Sequence, residues 1–468
     1  MRPLLQRAPI ILAAILAILA PRALHAEARL LIEADSGKVL EAENATVPWY
    51  PASLSKLMTA YVTLQAVKDG KITLDTLFTV SPIAASQSPS KMGFRPGTQV
   101  TVDNALKMML VKSANDMAVV LAEGVGGSID GFSAMMNQTA QKLGMTQTSY
   151  VNPNGLPADG QITSARDLAI LARAIIKNLP EYEYFVHIPS IRYGKRITHN
   201  FNRLIGRYPG ADGFKTGFIC ASGYNLIASA TRDGRRLIAV VLGASSGTMR
   251  SVRAAQLLDR GFANNGLTWL RPSLGTVDQL APIDASPPNL RDEVCGGKHH
   301  KPSDEDDAPV ASSAGGPASA SATGDGSNAM FLASGLQAPL QKPSEWLAAP
   351  PAPSEPIVVY TGPTRSGAAL VAAVAADSAS QDAAAKHGKR SHAAKKPAAG
   401  PKTADASAKP DAKKPDAKPA VRHANVKPTA PADPSVAAKP AKPKAAAKPK
   451  AAAKPKTPKT SSETKPAG

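Results

Sequence analysis

The sequence predicts an α+β fold for residues 27–270: an antiparallel β-sheet with helices packed on it. Three observations carry this. A strand pair opens the segment, several helical stretches follow, and a run of strands with one last helix closes it. The order lacks the regular strand–helix alternation that builds parallel sheets.

"ARLLIEADSGKVLEAENA" (28–45) alternates on both sides of Asp35-Ser36-Gly37 and reads as a hairpin. "SLSKLMTAYVTLQAVKDG" is helical, with Leu57, Ala60, Tyr61, Leu64 and Val67 on one face and Gly70 at its end. "TVDNALKMMLVKSANDMAVVLAEGVGG" gives two helical stretches on either side of Ser113. "SIDGFSAMMNQTAQKLGM" is another helix, stopped at Gly144. "YVNPNGLPADGQ" is a loop rich in turn formers, and "SARDLAILARAIIKN" an amphipathic helix with a Ser start. "GADGFKTGFICASGYNLIASATRDGRRLIAVVLGASS" reads as consecutive antiparallel strands turning at Asp233-Gly234. "SVRAAQLLDRGFANN" is the last helix. The first hairpin and the last strands are expected to share one sheet.

The flanks differ in composition. Arg2 and Arg7 precede the apolar run Ile10–Ala20, too short to span a membrane, and small residues follow near Ala26–Ala28. Residues 1–26 therefore read as a secretory signal, which puts the mature protein outside the cytoplasmic membrane, in the periplasm. Residues 271–300 read as an extended linker. Residues 301–468 read as a disordered tail rich in Ala, Pro and, toward its end, Lys; it carries much of the formal charge of +19. Within it "PIVVYTG" is a short apolar island with no evident neighbour. A polycation outside the membrane suits an anionic wall polymer or lipid surface, or serves only as a solvated spacer; a secreted chain argues against nucleic acid. The two cysteines, Cys220 and Cys295, are compatible with one disulfide or with two free thiols.

The chemistry centres on "PASLSK" (51–56). Ser53 and Lys56 stand at i and i+3, on one face of a helical turn. The serine at the helix start also lies near free N–H groups and the positive end of the dipole. One turn thus supplies a nucleophile, a base and part of an oxyanion hole. Taken alone, the pair reads as well as an N-cap with a solvated lysine. It has company, however. Ser113-Ala114-Asn115 follows about sixty residues later, and Lys215-Thr216-Gly217 about a hundred beyond that, on an expected strand. S-x-x-K, S-x-N and K-T-G, in this order, are the three elements of the serine penicillin-binding and β-lactamase superfamily.

Residues 28–270 resemble one branch of it, the DacA-type low-molecular-mass D-alanyl-D-alanine carboxypeptidases of serine peptidase family S11. The resemblance extends through "ASLSKLMTAY", "LVKSANDMAVVLAE", "YVNPNGL", "TSARDLAILARAI", "GADGFKTGF" and "RRLIAVVLGA". It implies a β-lactamase/transpeptidase-like fold and removal of the terminal D-alanine from peptidoglycan stem peptides, with β-lactams as covalent inhibitors and no cofactor or metal. It implies Ser53 as nucleophile, Lys56 as proton acceptor and Ser113 as relay hydroxyl. Asn115 would orient Lys56 and the substrate backbone, and Lys215 would be the second cation. Thr216 would meet the terminal carboxylate, Gly217 would let substrate lie against the strand, and Phe218 N–H would join Ser53 N–H in the oxyanion hole. Such donors are worth about 3 kcal/mol each. Arg250, expected in the loop after "VVLGASSGTM", would bind carboxylate. A lysine accepts a proton only where burial or a nearby cation favours its neutral form.

Rival readings stay in view. A DD-endopeptidase uses the same motifs. A class A β-lactamase deacylates with a glutamate, and "NPNGLPADGQITSARD" has none. A non-catalytic wall-binding protein would rely on the tail. "GASSG" (243–247) matches a nucleophile elbow, yet the later histidines all fall in the expected linker and tail. "KHHK" lacks the spaced partners of a zinc peptidase.

Overall fold

The structure, a computed structural model, describes residues 27–263, 273–296 and 347–393. The expected signal segment, "KHHK" and everything beyond 393 lie outside these residues.

The chain enters as a hairpin, β1 (Ala28–Glu33) and β2 (Val39–Glu43). A turn of 3-10 helix at Ala52–Leu54 leads into α1 (Ser55–Lys68). A small antiparallel pair, β3 (Leu77–Thr79) and β4 (Gln99–Thr101), brackets the short helix α2 (Pro82–Ser86). Four helices follow: α3 (Val102–Val111), α4 (Asn115–Gly126), α5 (Ile129–Lys142) and α6 (Ala165–Asn178). Three of the four start on a side-chain cap that accepts a backbone N–H: Thr101, Ser128 and Ser164. The chain then forms the hairpin β5 (Ser190–Tyr193) and β6 (Arg196–His199), and the strands β7 (Ala211–Gly213), β8 (Thr216–Ile219), β9 (Gly223–Arg232) and β10 (Arg235–Ala244). Helix α7 (Gly247–Phe262) closes the domain.

The main sheet is antiparallel, in the order β2-β1-β10-β9-β7, with β8 also paired to β9. The opening hairpin does share a sheet with the last strands, Ala28 facing Leu242 and Glu33 facing Leu237. Asp233 and Gly234 turn β9 into β10, both at positive φ as a two-residue hairpin loop requires.

Both faces of the sheet are covered, which explains why its strands read as near-continuous apolar runs. Leu30, Ile32, Ile238, Val240 and Leu242 point into the core shared with the helices that precede β5. Their neighbours Leu31, Leu237, Ala239 and Val241 point the other way, onto Ala254, Leu257 and Leu258 of α7. The period of two along each strand sorts the residues between these cores.

Residues 273–296 stay on the domain surface. Val39 N–H donates to Gly275 C=O, Val277 N–H donates to Gly37 C=O, and Arg166 donates to Asp278 C=O. The short helix α8 (Arg291–Cys295) ends at a disulfide from Cys295 to Cys220, Cα atoms 5.7 Å apart. One expectation is corrected here. "PIVVYTG" has neighbours: β11 (Ile357–Val359) adds to β5 in parallel, and Val359 is fully buried. Helix α9 (Gly367–Ala393) follows. Its Asp377 accepts hydrogen bonds from Thr361, and its Gln381 donates to Tyr193 C=O. The pairing joins segments more than 150 residues apart, which composition along the chain does not reveal. Among the described residues no helix is long and apolar enough to cross a membrane.

Candidate active site

Ser53 sits in the middle of the 3-10 turn, half-buried, with Ala52 before it at φ +49°. Three tethers hold this turn against the sheet. The Trp49 indole N–H donates to Ser222 C=O at 3.0 Å, and Asn225 of β9 donates to Tyr50 C=O at 3.1 Å. The third is steric. A Cβ at Gly217 would come within 3.0 Å of Ser53 N and 3.1 Å of Leu54 N. Glycine there lets β8 lie directly beside the serine turn, a role distinct from the one expected for Gly217.

Lys56 is wholly buried. Its ammonium nitrogen is 2.9 Å from Ser53 Oγ, 2.7 Å from Asn115 Oδ1 and 2.6 Å from Asn154 C=O. The N-cap-plus-solvated-lysine reading of "PASLSK" therefore does not hold: the lysine is dry and bonded to the serine. Ser55 turns away and accepts from Gln161 Nε2 at 3.1 Å.

Ser113 joins α3 to α4 at φ +59°, and Asn115 opens α4. The Ser113 hydroxyl is buried and has no hydrogen-bond partner among the described residues, and the same is true of Thr216 Oγ1. Buried hydroxyls are ordinarily paired, so both stand out as candidate ligand contacts. Lys215 is buried, and its ammonium donates to Thr216 C=O at 3.0 Å.

The register of β8 decides what its outer edge offers. Lys215 and Ile227 exchange both backbone hydrogen bonds, so Gly217 faces Asn225 in the next such pair. By alternation, the backbone groups of Thr216 and Phe218 point away from β9, toward the side where Gly217 meets Ser53. The Phe218 ring, half-buried, packs on Tyr224 with centroids 4.3 Å apart. Arg250 lies in the first turn of α7, not in a loop as expected. It is fully buried and donates to Gly217 C=O and Asn225 C=O, each at 3.3 Å.

Several contributors escaped the sequence reading. Asn154 belongs to the "YVNPNGL" stretch, but its carbonyl contact with Lys56 has no sequence signature. Residues 88–93 form a strap: Ser88 C=O accepts from Asn115 Nδ2, and Ser90 C=O accepts from Asn115 N–H. Buried Asp116 holds that strap by accepting from Met92 N–H and Gly93 N–H at 3.0 and 2.8 Å. Burial pushes its carboxyl pKa up, against the opposing pull of these backbone donors. "GASSG" resolves as a helix start, with Ser246 Oγ accepting from Met249 N–H.

An antiparallel sheet whose open strand runs beside a serine–lysine pair is the arrangement of the penicillin-binding proteins. The profile of the D-alanyl-D-alanine carboxypeptidase family, peptidase S11, matches residues 16–246. The chain is 42% identical over 245 residues to D-alanyl-D-alanine carboxypeptidase DacC of Escherichia coli, covering 51% of this chain and 61% of that one. It is 35% identical to DacB2 of Mycobacterium tuberculosis, covering 51% of this chain and 83% of the relative. The crystal structure of penicillin-binding protein 5 from Haemophilus influenzae superposes with a TM-score of 0.50 at 37% identity, over 52% of this chain and 72% of that one. The chain belongs to the D-alanyl-D-alanine carboxypeptidase family. The match spans about three-fifths of the length of the Escherichia coli relatives.

Proposed function

We propose that the protein is a serine-type D-alanyl-D-alanine carboxypeptidase that removes the terminal D-alanine from peptidoglycan pentapeptides. One observation carries this reading: inside a chain of this family, Lys56 Nζ lies 2.9 Å from Ser53 Oγ, in a buried position. A lysine accepts a proton only as the neutral amine. Lys56 takes the Ser53 proton as Oγ attacks the carbonyl of the D-Ala–D-Ala bond. The oxyanion is held by Ser53 N–H and by Phe218 N–H on the open edge of β8. The C–N bond breaks, Lys56 returns the proton through the Ser113 hydroxyl to the leaving amine, and D-alanine departs. Water then attacks the ester, and Ser53 regains its proton.

Asn115 fixes Lys56 and the substrate amide. Lys215 and Thr216 meet the terminal carboxylate. Arg250, spent on two backbone carbonyls beneath β8, supports that end of the site by its charge and by holding the strand. A β-lactam carries an acyl group and a carboxylate in the same relation, so it acylates Ser53. We place the working enzyme in the periplasm, with residues 1–26 as its signal; the Cys220–Cys295 bridge fits an oxidising compartment.

The test is to incubate the purified protein with labelled penicillin and, separately, with a D-Ala–D-Ala peptide. Expected are stable label and D-alanine release, both lost in Ser53→Ala. Rapid turnover of the penicillin would instead mean a β-lactamase. Peptide cleavage abolished by EDTA and untouched by penicillin would rule out the serine mechanism.

A further inference from the structure

The 88–93 strap supplies both backbone acceptors of Asn115, and Asn115 in turn accepts from Lys56. Residues 87–98 contain neither helix nor strand. A stretch of that kind holds its shape only where neighbouring groups pin it. Asp116 pins one side, through Met92 N–H and Gly93 N–H. Phe94 pins the other. Its ring is buried and meets the Tyr193 ring edge-on, with centroids 5.2 Å apart and planes at 71°.

Tyr193 is the last residue of β5, and a two-stranded hairpin such as β5–β6 is a weak support by itself. The segment 347–393 strengthens it from three directions. Val359 of β11 pairs with Tyr193, in the parallel register that also sets Ile357 against Ile191. Gln381 of α9 donates to Tyr193 C=O at 3.1 Å. Buried Asp377, on the same helix, accepts from the N–H and the hydroxyl of Thr361, so helix and strand brace each other. Burial first, then the Asp377 carboxylate beside it, push the Tyr193 phenol pKa up.

The same segment also grips the chain just after the strap. Gly362 N–H donates to Gln99 C=O at 2.7 Å, at the start of β4, and Thr364 donates to Asp75. Between these holds there is space. A cavity of about 740 Å³ has Met92, Gly93 and Phe94 on its wall, together with Thr361, Asp377 and Gln381. The strap thus has room to shift toward α9, and the Phe94–Tyr193 contact is what stops it. Residues 347–393 lie beyond the stretch matched by the family profile.

We propose that residues 347–393 are a positioning element for the reaction, fixing Tyr193 against Phe94 and so holding the strap where it orients Asn115 and Lys56. On the serine mechanism proposed above, on which this inference rests, Lys56 takes the Ser53 proton. Tyr193, Asp377 and Gln381 touch no reacting atom; they act through the strap. Misplacing a catalytic group by about 1 Å costs up to about a hundredfold in rate.

The experiment follows acylation of the full-length protein by labelled penicillin. It reads three quantities separately: the rate at saturating penicillin, the concentration giving half that rate, and the fraction of chains finally labelled. Hydrogen exchange at the Met92 and Gly93 amides reports on the strap itself. Tyr193→Ala should lower the saturating rate about tenfold, more than it raises the half-saturating concentration, and should speed exchange at both amides. Tyr193→Phe keeps the ring edge and should recover most of the rate, and Gln381→Ala should fall between. Phe94→Ala combined with Tyr193→Ala should be no slower than the slower single variant, since both remove one contact. An unchanged rate in Tyr193→Ala, or fewer chains labelled at the wild-type rate, would overturn the positioning role while leaving the carboxypeptidase reading intact. A wild type that takes no label and releases no D-alanine from a D-Ala–D-Ala peptide would overturn both.

Discussion

Asp116 reaches the candidate site through the backbone beside Asn115. Its buried carboxylate is the acceptor for two backbone N–H groups of the 88–93 strap, and that strap receives both donors of Asn115. Asp116→Ala leaves those N–H groups unpaired, which should cost about 2–3 kcal/mol in chemical denaturation and slow acylation by labelled penicillin. The pH dependence has a definite sign. Burial raises the folded-state pKa above the ordinary 3.8, so the folded form binds this proton more readily than the unfolded form. The group's contribution to stability therefore grows as pH falls through the folded pKa and is lost as pH rises above it. Against wild type, Asp116→Asn should compare best near neutral pH and lose ground toward pH ~4. Melting curves of both proteins across that range check it; an unchanged difference would refute the assignment. Ala52 and Ser113 add a second cost at this scale. Both are non-glycine residues at positive φ, a strain of order 1 kcal/mol each that concentrates beside the reacting groups.

At the scale of elements, the pieces that read clearly were those with strong local signals. The α6 stretch has its Ser164 cap and an apolar face, and the Asp233-Gly234 turn announces the β9–β10 hairpin. Ser53, Lys56, Ser113 and Lys215 stand out as candidates through short spacings; Ser53 falls in the 3-10 turn, Lys56 in α1, Ser113 between α3 and α4, and Lys215 just before β8. Asn154, the strap and β11 do not stand out, because each acts through a backbone group or a distant partner. The β5–β11 pair makes the point testable. Val359→Ala removes two buried methyl groups and should cost about 2 kcal/mol. Deleting residues 347–468 should go further, lowering Tm and opening the Ile191–Tyr193 amides to hydrogen exchange, since β11 pairs with that strand. Unaltered exchange there would mean that β5 does not depend on β11.

At the scale of the whole molecule, charge is distributed unevenly. The lysine-rich end of the sequence should bind anionic wall polymer or anionic vesicles at low salt and release them as salt approaches about 0.5 M. A chain cut after residue 393 should bind neither in a sedimentation assay, and equal binding by the cut chain would place the contact elsewhere. Catalysis on a small soluble peptide should be indifferent to the same cut. The crosslink between Cys220 and Cys295 has a topological consequence of its own. The covalent ring it closes contains β9, β10, α7 and the whole stretch up to α8. A protease that severs any one peptide bond between residues 221 and 294 leaves the two halves chemically joined. On a gel without reductant such a nicked molecule runs as an intact chain, and it separates into fragments only once thiol is added.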